Sequence, residues 1–250
     1  MIKYDFTGKR ILVTGASSGI GASVCRILKD SGAEIIMVAK NADKLEKKAE
    51  ELDIPYYYAA DLSDIYSIEK QTEQIIRDRG PLDGFVHSAG VGTVRPIKMC
   101  TYDFMKSVMD VNFFSFVEII RIVTKKKNYT PGMSIVGISS VASLEGNQSK
   151  TAYCASKAAM DSAIRCLAKE LSPKGIRVNS VMPGITRTEI MDRILDEGEG
   201  SEDLKSIFQR QYRGICEPDN VAATVAFLLS EESNYTTGAS IAVDSGRLSS

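Results

Sequence analysis

Lys9-Arg-Ile-Leu-Val-Thr14 runs directly into Gly15-Ala-Ser-Ser-Gly19-Ile-Gly21. The first run is short and apolar, as in a buried parallel strand, and residues 22–30 have the pattern of a helix that ends at Gly32. Glycines in such a loop permit a tight turn and a close approach of the backbone to a ligand. The helix N-terminus adds unpaired N–H groups and the positive end of its dipole. The stretch therefore predicts a strand–loop–helix unit that binds a pyrophosphate.

The end of the second predicted strand indicates which dinucleotide fits. Residues 34–39 form that strand, and Ala39-Lys40-Asn41 stands at its end. In a dinucleotide-binding unit, an acidic residue about 20 positions beyond the glycines binds the ribose 2′-OH of NAD. Here Lys40 would instead attract the 2′-phosphate of NADP, and the acidic Glu34 lies at the opposite end of the strand. The sequence therefore favours NADP(H) over NAD(H).

Strand-like and helix-like segments alternate along the rest of the chain. This alternation predicts a mostly parallel sheet with helices on both faces. We expect an α/β fold: a single-domain, Rossmann-like three-layer α/β/α sandwich over residues 1–250, with a doubly wound sheet of about seven strands. The further predicted strands are residues 54–60, 82–87, 133–139, 176–181 and 239–244, and the further predicted helices are residues 41–52, 64–79, 102–127, 151–171 and 218–229.

Tyr153 and Lys157 lie four positions apart at the start of a predicted helix, so they share one face. A phenol holds its proton to about pH 10, and a nearby ammonium group favours the phenolate and lowers that pKa. Ser140, thirteen residues before Tyr153, would hold a substrate oxygen beside the phenol. The same Tyr-x-x-x-Lys spacing begins at Tyr66 and Tyr102, but neither has a serine thirteen residues upstream, and we expect both on exposed helix faces. The third copy predicts a proton-transfer site for a carbonyl or an alcohol.

Composition excludes several other functions. A net charge of −1 argues against binding to nucleic acid or to an anionic membrane. No apolar run approaches the roughly 18 residues of a membrane span, and no signal segment precedes the first strand. Five cysteines without C-x-x-C spacing indicate reduced thiols and a cytoplasmic location. A single histidine and unclustered thiols predict that no metal is bound.

Taken together, these motifs resemble the short-chain dehydrogenase/reductase family over essentially the whole chain. Thr14-Gly-Ala-Ser-Ser-Gly-Ile-Gly21 is similar to the cofactor loop of that family, Thr-Gly-x-x-x-Gly-x-Gly. The spacing of the family's catalytic tetrad recurs at Asn112, Ser140, Tyr153 and Lys157. The cofactor-binding residues that the resemblance implies are Gly15, Ser17, Ser18, Gly19, Ile20, Gly21, Lys40, Asp61, Leu62, Ser88, Ala89, Gly90, Tyr153, Lys157, Pro183, Gly184, Ile185 and Thr188.

The resemblance also implies a role for each member of the tetrad. Tyr153 would pass a proton to or from the substrate oxygen while hydride moves to or from the nicotinamide. Lys157 would lower the pKa of the phenol and hold the nicotinamide ribose, Ser140 would orient the carbonyl, and Asn112 would fix a water that links Lys157 to solvent. His87 departs from the family, which has an asparagine there, and we expect its ring to be satisfied by backbone groups and to take no part in catalysis.

The resulting prediction is an NADP(H)-dependent dehydrogenase or reductase acting on a carbonyl or a secondary alcohol. Two alternatives remain: a 3-oxoacyl-carrier-protein reductase, and a non-catalytic protein that senses a dinucleotide. The substrate is expected to be a small molecule bound between residues 91–100, 141–150 and 185–213, with residues 185–213 as a lid over the cleft. The resemblance implies a homo-oligomer, a dimer or a tetramer, in which the helices at 102–127 and 151–171 pair between subunits.

Overall fold

A computed structural model describes residues 4–189 and 210–249. Within these residues, seven parallel strands form one sheet. They are β1 (Arg10–Thr14), β2 (Glu34–Ala39), β3 (Tyr56–Ala59), β4 (Leu82–His87), β5 (Tyr129–Ile138), β6 (Arg177–Pro183) and β7 (Ser240–Val243). Their order across the sheet is β3-β2-β1-β4-β5-β6-β7. The chain winds outward from the centre twice, which confirms the predicted doubly wound sheet. Most of the predicted lid lies outside the described residues.

Helices cover both faces of the sheet. They are α1 (Gly19–Asp30), α2 (Ala42–Glu51), α3 (Ile65–Arg79), α4 (Tyr102–Met109), α5 (Ser115–Val123), α6 (Thr151–Leu171) and α7 (Pro218–Leu229). Helices α1, α2 and α7 pack in one apolar layer, whereas α3, α5 and α6 pack in the other. No helix within the described part of the chain is both long and apolar enough to cross a membrane.

The central strand β1 shows why a continuous apolar run predicts a buried parallel strand. Ile11 and Val13 point into the layer that contains α1, and Leu12 points into the opposite layer. All three side chains are buried. Because successive residues of a strand face opposite sides, a strand covered on both faces needs apolar residues at every position. Each such side chain contributes roughly 1.5–3 kcal/mol when it is fully buried.

The glycine loop joins β1 to α1 by the close approach that its sequence predicts. Gly15 has φ +67°, and a Cβ added to it would lie 2.7 Å from the backbone of Ser88 and Ala89 at the end of β4. A Cβ on Gly21 would overlap the carbonyl oxygen of Gly15. The loop therefore folds back on the first turn of α1, and α1 begins at Gly19 rather than at residue 22 as predicted.

The helix predicted over residues 102–127 is interrupted, and this part of the prediction is wrong. Helices α4 and α5 are separated by one wide π-helical turn, Asp110–Phe114, and α5 ends at Val123. Asn112 lies in the wide turn and is fully buried. A π turn adds one residue to the helix and is found mostly at functional sites. Within this turn, Asn112 makes hydrogen bonds outside the helix, which are described below.

Two strands extend beyond the predicted residues. Strand β5 begins at Tyr129, four residues earlier than expected, and β6 continues to Pro183 because each is paired along its length with neighbouring strands. The helix predicted over residues 102–127 would have ended in the basic run Lys125-Lys126-Lys127, but this run lies beyond the end of α5. Lys125 forms ion pairs with Glu69 and Glu73 on α3, so side-chain partners rather than a helix terminus balance its charge.

We predict that Gly21→Ala destabilises the protein by about 1–3 kcal/mol, the usual effect of forcing an extra methyl group into a packed site. The added Cβ would overlap the backbone of Gly15, and backbone atoms cannot rotate away as a flexible side chain can. Denaturant unfolding measures the difference. Gly146→Ala is the matched control, because a Cβ there meets nothing within 4 Å. Equal stabilities for the two variants would contradict the prediction.

Candidate active site

One large cavity lies where the parallel strands end. The register places Thr14 of β1 beside His87 of β4 and Ile138 of β5 beside Val181 of β6, so the carboxyl ends of the strands share one edge. The cavity at this edge has a volume of about 940 Å³. It is lined by every residue predicted to bind the cofactor except Gly21, which supports the loop from behind. Ligands bind at this edge in open α/β sheets.

Three of the four tetrad residues line this cavity, and the fourth lies directly behind it. Tyr153 and Lys157 are on the first turns of α6, and Ser140 follows the end of β5. Ser140 has an extended backbone, and its Oγ accepts a hydrogen bond of 3.2 Å from the amide of Ala142. This bond holds the hydroxyl at the cavity wall. The structure therefore brings together the residues that the spacing predicts, whereas the exposed rings of Tyr66 and Tyr102 lie elsewhere, as expected.

Lys157 is a buried ammonium group, with only 4% of the residue exposed. Its Nζ donates a hydrogen bond of 2.7 Å to the carbonyl oxygen of Ile138 and lies 5.9 Å from the centre of the Tyr153 ring. Burial lowers the pKa of Lys157 to about 8, because desolvation penalises the charged form, and the negative charge of Asp161 opposes that shift. The lysine is therefore half-protonated near pH 8 and is mostly an ammonium group at pH 7.

The phenol of Tyr153 does not have the lowered pKa that the sequence analysis predicts. Burial raises the pKa of Tyr153, a hydrogen bond with Ser140 offsets part of that rise, and Cys154 adds to it. Desolvation dominates because the ammonium of Lys157 is directed at the carbonyl of Ile138 rather than at the phenol oxygen. Tyr153 therefore holds its proton at neutral pH, the state required of a proton donor.

Asn112 braces the cavity from inside the wide turn. Its Oδ1 accepts a bond of 2.8 Å from the amide of Val91, and its Nδ2 donates to the carbonyl of Val91 and to Ser156 on α6. A buried amide needs such partners, and here all of its hydrogen-bonding positions face other elements. A Cβ on Gly90 would lie 3.3 Å from Asn112 and 3.5 Å from the Nζ of Lys157. The loop at Gly90, after β4, thus passes close to both polar groups.

His87 is fully buried at the end of β4. Its Nδ1 lies 3.0 Å from the hydroxyl of Thr14, and its Nε2 lies 3.5 Å from the hydroxyl of Ser115, which itself donates to the carbonyl of Val111. The ring also has a hydrogen bond with the backbone of Val111. Burial, followed by the charge of Lys157, lowers the pKa of His87 to about 3. The ring is therefore neutral, and it joins β1 to the wide turn through side chains as well as the expected backbone group.

The cavity carries two cationic side chains at the ends of β2 and β3. Lys40 forms an ion pair of 2.7 Å with Asp61, and this bond, followed by one from Ser63, lowers the pKa of Asp61 to about 2. Lys44 also lines the cavity, and it pairs with Glu189 on the opposite wall. The sequence analysis missed Lys44. The signal was Asn41, which caps α2 by accepting from the amide of Lys44 and so turns the first helical turn toward the strand ends.

Arg247 is the second functional candidate that sequence analysis missed. It is 5% exposed, lines the cavity, and bonds through its guanidinium to Glu145 and Asn147 in the loop after β5. Arg210 pairs with the same Glu145. No local pattern around Arg247 indicates a site, because its place at the cavity depends on the position of β7, which precedes it in the chain.

The cavity fits a dinucleotide by its shape and its polar groups. The backbone approaches most closely at Gly15 and Gly90, where no side chain intrudes, and the N-terminus of α1 points at the loop between them. A molecule laid along the strand ends from Lys40 would pass this helix before reaching Tyr153 and Ser140. The protonated phenol of Tyr153 at that far end can serve as the acid for a carbonyl oxygen. Together with the fold, it indicates the class of protein: oxidoreductases that move hydride between a nicotinamide dinucleotide and a carbonyl or alcohol.

The comparisons with known proteins agree with this class. A family model described as enoyl-(acyl carrier protein) reductase matches residues 15–247. The L-xylulose reductase of Caenorhabditis elegans is 37% identical over 248 residues, which are 97% of each chain. The 3-oxoacyl-acyl-carrier-protein reductase of Rickettsia prowazekii is 33% identical and covers 98% of each chain. The chain belongs to the short-chain dehydrogenase/reductase family, and it is an oxidoreductase.

A solved structure shows the same architecture. A putative NAD(P)-dependent gluconate 5-dehydrogenase from Beutenbergia cavernae, with NADP bound at low occupancy, superposes with a TM-score of 0.92. The two chains are 26% identical, and the superposition covers 100% of both. The Rossmann-like fold and the family assignment made from the motifs are confirmed.

The single histidine makes one pH dependence testable. Because the folded state disfavours the protonated ring of His87, the unfolded chain binds more protons below about pH 6.5, and stability falls as the pH falls toward about 3. We expect His87→Gln to remove this contribution, about 1.4 kcal/mol per pH unit. Denaturant unfolding at pH 7 and pH 5 should therefore show the parent losing roughly 2 kcal/mol more than the variant. Equal losses would show that the ring accepts a proton while folded.

Proposed function

We propose that this protein is an NADP(H)-dependent carbonyl reductase acting on a small polyhydroxylated ketone. The observation that carries the proposal is the pair formed by Tyr153 and Ser140 in the wall of the cavity, with Lys157 buried behind it. A protonated phenol and a neutral hydroxyl at one point suit a carbonyl oxygen, which accepts two hydrogen bonds. A protein that only senses a dinucleotide has no use for this pair.

In the direction of reduction, Tyr153 and Ser140 donate hydrogen bonds to the carbonyl oxygen of the substrate. A bound nicotinamide dinucleotide supplies the hydride that adds to the carbonyl carbon. Tyr153 transfers its proton to the oxygen as negative charge develops there. The ammonium of Lys157 stabilises the phenolate that remains, and it would hold the hydroxyls of the nicotinamide ribose when the dinucleotide is bound. Asn112 keeps the loop at Val91 and helix α6 in place around these groups.

A preference for NADP(H) is supported by charge at the end of β2. Two lysines, Lys40 and Lys44, line that end of the cavity, and Asp61 and Glu189 pair with them. A 2′-phosphate carries more negative charge than either carboxylate and would compete for the ammonium groups. The position where NAD-binding units carry an acid is occupied by Ala39-Lys40-Asn41.

The substrate class is supported by relatives and by the polar part of the cavity wall. Besides the Caenorhabditis elegans protein, an L-xylulose reductase from Mus musculus and a D-erythrulose reductase from Gallus gallus are 34% and 33% identical. Thr93, Asn147 and Thr186 line the cavity together with Ser140. These side chains offer hydrogen-bond donors and acceptors suited to hydroxyl groups that flank a ketone.

A 3-oxoacyl-carrier-protein reductase is the second candidate, and the Rickettsia relative supports it. An acidic carrier protein would need a basic docking surface near the cavity. The basic run Lys125-Lys126-Lys127 is the candidate for such a surface, and its first residue, Lys125, is paired with Glu69 and Glu73. This pairing reduces the positive charge that Lys125 could offer to an acidic carrier, which favours the small ketone.

We also propose that the chain self-associates through the side that carries α3 and α4. The rings of Tyr66 and Tyr102 are 97% and 77% exposed, and Phe114 is 43% exposed. Tyr66 and Tyr102 both help to raise the pKa of Lys106, so each lies on the same side of the protein as that lysine. Aromatic side chains grouped on a surface are typical of protein interfaces.

We expect Tyr153→Phe to reduce kcat by about 10²–10⁴-fold, because it removes the proton donor and leaves the ring in place. The Kd for NADPH, measured by fluorescence, should stay within about twofold of the parent value, since a single neutral hydroxyl contributes little to a large ligand. Turnover is measured with L-xylulose, D-erythrulose and an acetoacetyl thioester. Unchanged kcat in the variant would reject the role of Tyr153, and turnover of the thioester alone would favour the second candidate.

For cofactor preference, we expect Lys40→Met and Lys44→Met each to weaken NADPH binding about tenfold, the loss of one charge-assisted hydrogen bond. NADH binding should change little, because NADH lacks the 2′-phosphate. Lys48→Met is the matched control: Lys48 lies on α2, pairs with Glu51 and does not line the cavity. Equal effects on NADPH and NADH would contradict the assignment of these lysines to the 2′-phosphate.

A further inference from the structure

A third ionisable residue shares the face of α6 that carries Tyr153 and Lys157. Asp161 lies four residues beyond Lys157, and only 5% of it is exposed. Residues four apart on a helix are neighbours on one face, with Cβ atoms about 5–6 Å apart. Asp161 does not line the cavity and has no part in the proposed proton transfer. Its position next to the lysine still calls for a physical account, because a buried carboxylate is costly.

The carboxylate of Asp161 is held by two hydroxyl groups, one from the segment after β5 and one from β6. The hydroxyl of Ser139 on the segment after β5 donates to one oxygen at 2.8 Å, and the hydroxyl of Ser180 on β6 donates to the other at 2.7 Å. Ser180 also bonds to Ser240 on β7 at 2.8 Å. Ser139 lies 3.4 Å from the carbonyl of Lys157 as well. Both hydroxyls are neutral donors, so they orient the negative charge without cancelling it.

Lys157 is a buried positive charge whose hydrogen-bond partner is uncharged. Its Nζ donates to a neutral carbonyl, that of Ile138, and Asp161 acts on it through its charge rather than through a hydrogen bond. Isolated buried charges are strongly unfavourable, and buried charges are normally compensated by an opposite charge nearby. Asp161 is the acid whose field favours the ammonium form of this lysine.

Other groups that face Lys157 do not supply this compensation. On its own helix, Tyr153 is a protonated phenol. From β4, His87 is neutral, and its own low pKa arises partly from the charge of Lys157. From the wide turn, Asn112 is an uncharged amide, and the neighbouring Asp110 is paired with Lys106. The balance of charge behind the cavity therefore depends on Asp161.

We propose that Asp161 is a positioning residue which keeps Lys157 in its ammonium form at neutral pH, through a carboxylate fixed one helical turn away by Ser139 and Ser180. The proposal deepens the proposed function, because it rests on Lys157 acting as a cation beside Tyr153. Without the carboxylate, burial alone would act on the amine, and a neutral lysine could not stabilise the phenolate. The hydrogen bonds from the two serines fix the orientation of the carboxylate relative to Lys157.

The test is the titration of Lys157 in the ligand-free protein, followed by NMR of lysine residues labelled with ¹³C at Cε. Other lysines titrate near pH 10.4, so a signal that titrates near pH 8 stands apart, and its loss in Lys157→Met identifies it. Removing a negative charge disfavours the ammonium form and lowers its pKa. We expect Asp161→Asn to move the midpoint down by about one pH unit or more, the usual effect of one nearby charge. Should D161N prevent folding, D161S removes the same charge with a smaller side chain.

Two control variants separate charge from packing. Asp161→Glu keeps the charge, and its midpoint should remain within about half a unit of the parent value. Ser180→Ala removes one hydrogen bond to the carboxylate and should lower stability by about 1 kcal/mol while leaving the midpoint nearly unchanged. A D161N midpoint equal to that of the parent, or an equal shift in S180A, would overturn the proposal.

The same variants give a functional readout. In D161N, the basic limb of the pH profile of kcat/KM should move to lower pH by the same amount as the midpoint of Lys157. A parent enzyme that turns over ketones but shows no such movement in D161N would overturn the role of Asp161 and leave the proposed function standing. Loss of turnover in the parent would reject the proposed function, while the NMR midpoints would still decide whether Asp161 controls the charge of Lys157.

Discussion

The burial of one ammonium group constrains the architecture around the candidate active site. Lys157 must lie against the strand ends to reach the cavity, and there it loses almost all contact with water. Desolvation would favour the neutral amine, so surrounding elements supply what water no longer does. The carbonyl of Ile138 accepts its hydrogen bond, and Asp161 contributes negative charge from the next turn of the helix. These two groups belong to β5 and α6, whose packing is therefore tied to the chemistry.

The wide turn between α4 and α5 solves a related problem. Asn112 is fully buried, and its side-chain amide needs hydrogen-bond partners outside its own helix. The extra residue of the π turn lets Asn112 hold both backbone groups of Val91 and also Ser156. His87 bonds to the same turn through the backbone of Val111. The end of β4, the loop at residue 91 and α6 are thus joined through polar bonds behind the cavity.

Charge is arranged differently at the two ends of the cavity. At the end formed by β2 and β3, Lys40 and Lys44 line the cavity and pair with the carboxylates of Asp61 and Glu189. At the end formed by β5 and α6, Tyr153 and Ser140 are neutral and Lys157 lies behind them. A cation at the surface suits recognition of a phosphate, whereas a neutral, desolvated pair suits proton transfer.

The sequence by itself determined the sheet, the glycine loop and the tetrad, because each depends on short-range patterns: apolar runs, glycines at a turn, and residues one helical turn apart. It also indicated the family through the order of those motifs. The tertiary structure alone decided the π turn at Asn112, the raised pKa of Tyr153, and the placing of Arg247 and Asp161. These depend on desolvation and on contacts between segments far apart in the chain, and no local pattern reports which distant groups will surround a side chain after folding.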